Sequence, residues 1–199
     1  TCLCMGAGLN IAQGVEKVEP DTTCFAFVGD STFFASAITG VVNAVYNQAN
    51  MVLVVLDNST TAMTGHQPHP GTGRTVMGEI VQKINIEQVL RGIGVTEIET
   101  INPLELEASV SCVKRMAEKS GVRAIIFKAP CIAVTKPKAP LHVDQDSCIS
   151  CKKCIRNLGC PAIVMNDGKI CIDASMCTGC HLCSQVCPVC AIAGGDDHE

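Results

Sequence analysis

Eight cysteines within residues 148–188 fall into two runs of the same form, and nothing else in the chain restricts its fold so tightly. The first run is Cys148, Cys151, Cys154 and Cys160, closed by Pro161; the second is Cys177, Cys180, Cys183 and Cys187, closed by Pro188. Three thiols at this spacing wrap a tight backbone loop around one inorganic centre and aim the loop's amide N–H groups at its sulfurs. The Cys before Pro ligates the neighbouring centre instead. The pattern therefore assigns Cys148, Cys151, Cys154 and Cys187 to one [4Fe-4S] cluster, and Cys177, Cys180, Cys183 and Cys160 to a second one close by.

This is the spacing of the bacterial two-cluster ferredoxins, and an internal repeat supports it. Val143-Asp144 ahead of Cys148 matches Ile172-Asp173 ahead of Cys177, and Ala162-Ile163 echoes Ala191-Ile192. One departure stands out: five residues separate Cys154 from Cys160, where three separate Cys183 from Cys187, so the first loop is expected to bulge. Paired zinc knuckles are the competing reading. They also use C-x2-C, but a zinc ion closes with four ligands and has no use for a third step or for Cys-Pro.

Of 199 residues, 47% are hydrophobic and 17% charged, enough for a real core. The formal net charge of −4 leaves no basic footprint for nucleic acid or a membrane surface. From His142 onward seven acidic residues face four basic ones, so the cysteine-rich part is the acidic part. The longest apolar run, residues 51–56, is the length of a strand and not of a membrane span. Nothing at the start resembles a signal peptide, and cysteines in cluster spacing fit a reducing, oxygen-poor, cytoplasmic setting. The chain opens at Thr1 inside what reads as a structured segment, as expected of a piece of a longer polypeptide.

Ahead of the cysteines, helices and strands alternate. Apolar spacing predicts a helix over 6–18, a strand over 22–28, a helix from Phe33 to Ala49 and a strand over 51–56. A Gly/Pro/Thr loop follows over 59–78, long enough to be functional or disordered. Beyond it the pattern gives a short helix near 86–91, a strand over 95–101, a helix capped by Asn102 with Pro103 first and ending at Gly121, and a strand over 122–128. The order predicts an α/β fold with a doubly wound parallel sheet, which binds ligands at the carboxyl ends of its strands. The expected organisation is an α/β domain over 1–130, a proline-bearing linker over 131–141 and the two-cluster module over 142–199.

Two such ends carry chemistry. Gly29-Asp30-Ser31 and Asp57-Asn58-Ser59-Thr60 place Asp30 and Asn58 about one strand–helix–strand unit apart. An Asp and an Asn there supply two hard oxygens suited to magnesium on a diphosphate, and the first turn of the following helix offers N–H groups to the same anion. A capping Asp and a turn Asn are the competing reading.

The two loops resemble the thiamine-diphosphate motif written GDG, followed by NN some 25 to 30 residues later. Together with Cys4-Met5-Gly6-Ala7-Gly8, Asn43-Ala44-Val45-Tyr46-Asn47 and the run from Leu56-Asp57-Asn58 through Thr64-Gly65-His66-Gln67-Pro68, they make the chain similar to the alpha subunit of the indolepyruvate:ferredoxin oxidoreductases over nearly its whole length. The resemblance implies that Asp30, the Asn58 side chain and the Thr60 carbonyl bind magnesium. It implies further that Gly29 and Ser31 contact the diphosphate and that Thr61, Met63 and Thr64 line the cofactor. Ser31 stands where many thiamine enzymes have a second glycine and Asp57 where they have the first Asn; both departures belong to the 2-oxoacid:ferredoxin branch.

The implied reaction is oxidative decarboxylation of an aryl 2-oxoacid, with coenzyme A as acyl acceptor and ferredoxin as electron acceptor, in an assembly with a beta subunit and a dimeric arrangement. The resemblance places the activating glutamate on a pyrimidine-binding domain outside these 199 residues, so this length alone is expected to be inactive. Two other functions compete: the same chemistry on pyruvate or another 2-oxoacid, and a plain electron-carrying module with an α/β docking part.

His66 and His69 are candidates to touch substrate or cofactor, against a reading as exposed loop histidines. Arg74 is a candidate for a carboxylate or a coenzyme A phosphate. Cys2, Cys4, Cys24, Cys112 and Cys131 read as small buried hydrophobes, and Cys171 and Cys190 as packing beside the clusters.

Overall fold

The computed structural model describes residues 3–194, and the chain divides into two compact units, Thr1–Val134 and Thr135–Glu199. Among the described residues no helix is long and apolar enough to cross a membrane.

In the first unit β1 (Cys24–Gly29), β2 (Met51–Asp57), β3 (Glu97–Ile101) and β4 (Val122–Lys128) form one sheet in the order β1-β2-β4-β3, with every neighbouring pair parallel. The inner strands β2 and β4 read as almost unbroken apolar runs because helices cover both of their faces. On one face Ala26, Val28, Met51, Leu53, Val55 and Ala124 pack with residues of α1 (Ala7–Val18), α3 (Ile38–Tyr46) and α4 (Ile86–Ile93). On the other, Val52, Val54 and Ile125 meet Cys112 and Met116 of α5 (Leu106–Glu118).

The helix after β1 begins at once, three residues earlier than the apolar stripe indicates. The short α2 (Asp30–Thr32) passes through a π-helical turn at Phe33–Ala37 into α3. The widened turn brings Ser36 against the start of α1, where its Oγ donates to the Met5 carbonyl at 3.1 Å. Gly6 is required there twice over: its φ is +85°, and a Cβ would lie 2.5 Å from Ser36 Oγ. Buried Gln13 then ties α1 to α3, donating to the Gly40 carbonyl at 3.1 Å and accepting from Asn43 at 2.6 Å.

The helix expected to be capped by Asn102 with Pro103 at its first position starts instead at Leu106. Asn102 Oδ1 accepts from the Leu104 N–H at 3.1 Å, so its side chain closes a local turn and the helix begins beyond it. One side chain that the pattern did not single out lies deep in this unit. Arg123 of β4 is 1% exposed and donates to the carbonyls of Met116 and Gly121 and to the Asn50 side chain.

The second unit is built on two-stranded antiparallel pairs, β5 (Leu141–Val143) with β8 (Ile192–Gly194) and β6 (Ile163–Asn166) with β7 (Lys169–Ile172). Leu141, Ile163, Ile170 and Ile192 form its core together with Cys154 and Cys183. The sequence repeat reappears bond for bond. The Cys148 and Cys177 N–H groups donate to the Asp144 and Asp173 carbonyls, each at 3.0 Å, and the N–H groups of those aspartates donate to Ala191 and Ala162, each at 2.8 Å. The helices α6 (Lys153–Leu158) and α7 (Leu182–Val186) both follow a left-handed residue, Lys152 and His181. The longer first gap does not bulge: α6 runs one residue longer than α7, and Gly159 in left-handed conformation then turns the chain back to Cys160.

Candidate functional site

Strand register brings Asp30 and Asp57 together. Gly29 pairs with Leu56 and Asp57 pairs with Lys128, so Asp30, Asp57 and Lys128 form one row across the carboxyl edge of three parallel strands. Lys128 Nζ lies 2.9 Å from Asp57 Oδ2. Asp30 is 3% exposed and Asp57 7%. Burial pushes the Asp30 carboxyl above its ordinary range; the Ser31 N–H and His69 offset this only in part, and the charge of Asp57 adds to it. Burial acts on Asp57 too, but hydrogen bonds and charge from Lys128, with the Ser59 N–H, more than reverse it and hold this carboxyl low.

The loop after β2 is shaped by its own side chains. Asp57 Oδ1 accepts from the Ser59 N–H at 3.0 Å and from its hydroxyl at 3.2 Å, while Asn58 Oδ1 accepts from the Thr60 N–H at 3.2 Å. Thr60 is buried, and the Thr61 hydroxyl donates to Ser31 Oγ at 3.0 Å, joining the two strand-end loops. Gly29, Asp30, Ser31, Asn58, Thr60 and Thr61 thus gather at one edge. Met63 and Thr64 belong to the same loop but stand in solvent, Met63 at 99% exposure.

Of the side chains weighed as contacts, His66 and Arg74 are exposed. The His69 side chain is 5% exposed, and its Nε2 lies 3.1 Å from Asp30 Oδ2. Beside His69 and Asp57 a cavity of about 260 Å3 opens, lined also by Lys83, Asn85, Glu87, Thr100 and Lys128.

In the second unit the eight regularly spaced cysteines divide four and four. One cavity is lined by Cys148, Cys151, Cys154 and Cys187, another by Cys160, Cys177, Cys180 and Cys183. Backbone N–H groups point at two of the sulfurs: Leu141 donates to Cys177 at 3.4 Å and Ala191 to Cys187 at 3.3 Å. Burial, reinforced by Cys180, Cys177 and Cys160, pushes the Cys183 thiol up to about 11. Among the described residues no three His, Cys, Asp or Glu side chains converge tightly enough for a single metal ion.

The other cysteines vary. Cys24 and Cys112 are buried, Cys131 and Cys171 half-buried, and Cys2 lies outside the described residues. Cys4, in the turn ahead of α1, is exposed and not buried. Cys190 is also exposed, with φ +51°, and lines neither cysteine cavity.

The chain is similar to known proteins over both units. It is 39% identical over 192 residues to the indolepyruvate oxidoreductase subunit IorA of Archaeoglobus fulgidus, covering 94% of this chain and 31% of that protein. With the subunit of the same name from Methanothermobacter thermautotrophicus it shares 42% identity over 192 residues, covering 96% of this chain and 31% of the relative. The chain thus spans about a third of the length of these curated relatives. Among solved structures, the 2-oxoglutarate:ferredoxin oxidoreductase of Magnetococcus marinus, with 2-oxoglutarate, coenzyme A and succinyl-CoA bound, shares the fold at a TM-score of 0.59 and 19% identity, over 66% of this chain and 47% of that one. Residues 1–127 match the family model described as "Thiamine pyrophosphate enzyme, C-terminal TPP binding domain", and with it the chain belongs to the thiamine-diphosphate enzymes, among whose 2-oxoacid oxidoreductases its relatives fall.

Proposed function

We propose that this chain is the part of an arylpyruvate:ferredoxin oxidoreductase that binds thiamine diphosphate through magnesium and carries electrons away through two [4Fe-4S] clusters. What carries the reading is the division of eight cysteines into two groups of four in a chain whose other unit belongs to the thiamine-diphosphate enzymes. The substrate class rests on the name of the relatives, which are indolepyruvate oxidoreductase subunits.

The residues at the carboxyl edge fit the cofactor. Asp30 and Asp57 are two neighbouring buried carboxylates, with His69 beside the first and Lys128 beside the second, and a divalent cation offsets the repulsion between them. Asp30, the Asn58 side-chain oxygen and the Thr60 carbonyl are hard oxygen donors, the class magnesium takes. Gly29 and Ser31 flank Asp30 at the start of the helix and would contact the diphosphate, and Thr61, Met63 and Thr64 lie on the adjoining loop. Thiamine diphosphate, when bound, supplies the nucleophile for decarboxylation, and the protein orients it and tunes its surroundings.

The cysteine groups fit clusters better than zinc. A zinc ion closes with four ligands and has no use for a third C-x2-C step or for Cys-Pro. Here each group of four combines three regularly spaced cysteines of one run with the Cys before Pro of the other, the pattern of two-cluster ferredoxins. Cys160 faces the group from the second run and Cys187 the group from the first, so each run would close the other's cluster. Two one-electron carriers suit a two-electron oxidation drained singly to ferredoxin. Coenzyme A as acyl acceptor, a beta subunit and a dimeric assembly complete the proposal.

Calorimetric titration of thiamine diphosphate into the full-length polypeptide, with and without magnesium, tests it. Binding that requires magnesium and disappears in Asp30→Ala supports the reading; a wild type that binds none overturns it. Anaerobic reconstitution should give about eight iron and eight sulfide per chain, and zinc without sulfide would refute the cluster assignment. Competition between indolepyruvate and pyruvate decides the substrate.

A further inference from the structure

His69 was one of two histidines in a Gly/Pro-rich loop, and only it turns inward. Its ring is fixed from three sides. The Gly71 N–H donates to Nδ1 at 3.2 Å, the ring lies 5.7 Å from that of Phe34 at an interplanar angle of 30°, and Nε2 is 3.1 Å from Asp30 Oδ2. The segment is built around this ring. Thr72 closes the turn, its N–H and its hydroxyl both donating to the His69 carbonyl, at 2.9 and 2.8 Å. A Cβ on Gly71 would lie 3.0 Å from both His69 Cε1 and Phe34 Cε2, so a larger residue would have to push one of these rings aside by a few tenths of an ångström.

The contacts decide which nitrogen carries the hydrogen. Nδ1 accepts from Gly71 and so bears none, and the neutral ring has its N–H at Nε2, facing the carboxylate. Asp30 then has Oδ2 held by His69 and Oδ1 held by the Ser31 N–H at 2.8 Å. Each oxygen keeps one lone pair free, and the plane of the carboxylate is fixed from both ends. A carboxylate that binds a metal is commonly oriented by such an outer hydrogen bond, and loss of that bond weakens metal affinity.

We infer that His69 is a positioning residue: its Nε2–H holds the Asp30 carboxylate in the orientation that takes up magnesium, and so sets the magnesium requirement for binding thiamine diphosphate. The inference rests on the proposed role of Asp30. It assigns His69 no contact with the cofactor and no part in proton transfer.

Two substitutions separate positioning from packing. His69→Asn keeps a side-chain oxygen near Nδ1 to accept from Gly71, so the loop retains its bond, but it is too short to reach Asp30. His69→Gln reaches Asp30 with an amide N–H near the place of Nε2. Thiamine diphosphate is titrated calorimetrically into the full-length polypeptide and both variants over a series of magnesium concentrations, with melting curves as the check on folding. The expected result is a magnesium half-saturation raised about 10- to 100-fold in His69→Asn, recovered to within a few-fold of wild type in His69→Gln, with cofactor affinity at saturating magnesium unchanged in both. Equal magnesium requirements in the two variants overturn the inference, whether both match wild type or both are weakened. Cofactor affinity that stays low at saturating magnesium overturns it as well, since that marks direct contact of the ring with the cofactor. A wild type that binds no thiamine diphosphate at any magnesium concentration refutes the proposed site itself, a distinct outcome.

Discussion

The hydroxyl of Thr61 donates to Ser31 Oγ across 3.0 Å, and this bond joins the loop after β1 to the loop after β2. Both residues lie where the cofactor's diphosphate is proposed to sit, so the bond fixes the distance between two walls of one site. Thr61→Val keeps the shape and removes the donor. Its expected effect is a stability loss of about 0.5 to 1.5 kcal/mol and a several-fold weaker affinity for thiamine diphosphate at saturating magnesium. Calorimetry on the full-length polypeptide checks this; an unchanged affinity shows the bond to be irrelevant to binding.

The cysteine grouping makes an asymmetric prediction. Cys160 lines the cavity of Cys177, Cys180 and Cys183, although it follows the first run in the chain. In Cys160→Ser the cluster of the second run should be lost or altered while the first remains, leaving about four iron of eight after anaerobic reconstitution. Cys190→Ser, at an exposed position outside both cavities, should retain all of them. Iron and sulfide analysis with electron paramagnetic resonance distinguishes the two.

Cys112 gives a pH signature in the first unit. Burial, with the neighbouring Glu99, pushes its thiol from 9.0 to about 11. A thiol harder to ionise in the fold than in the unfolded chain contributes stability that is fully present below pH 9 and is lost as pH rises towards 11. The difference in unfolding free energy between wild type and Cys112→Ala should therefore be flat below pH 9 and shrink above it, by on the order of 1 kcal/mol per pH unit. Urea unfolding at stepped pH measures it.

Arg123 supports both the end of α5 and the turn before β4. Arg123→Met preserves most of the volume but leaves the Met116 and Gly121 carbonyls without this donor. A destabilisation of about 1 to 3 kcal/mol is expected, visible as a lower urea midpoint for the first unit.

Strand and helix order were legible because β2 and the centre of β4 are apolar runs of strand length, as buried parallel strands carry, set between segments of helical spacing. The grouping of the cysteines four and four was legible because the regular spacing of each run is local. The start of α5 was not, since Asn102-Pro103 has the chemistry of a cap and uses it in a turn. The row of Asp30, Asp57 and Lys128 depends on strand register, which no single strand's sequence discloses. His66 and His69 share one composition, and only the folded loop buries one and exposes the other. For Arg123 a signal existed: a lone charge inside an otherwise apolar inner strand has to find partners.

The strand pairing of the second unit bears on its origin. β5 opens the first repeat and pairs with β8, which closes the second; β6 closes the first and pairs with β7, which opens the second. Neither copy of the duplicated sequence keeps its own strands together, so a solitary copy would be left with two unpaired edges. Two copies satisfy one another equally well on one chain or on two. That is the topology expected of a duplicated unit in which each copy lends the other a strand.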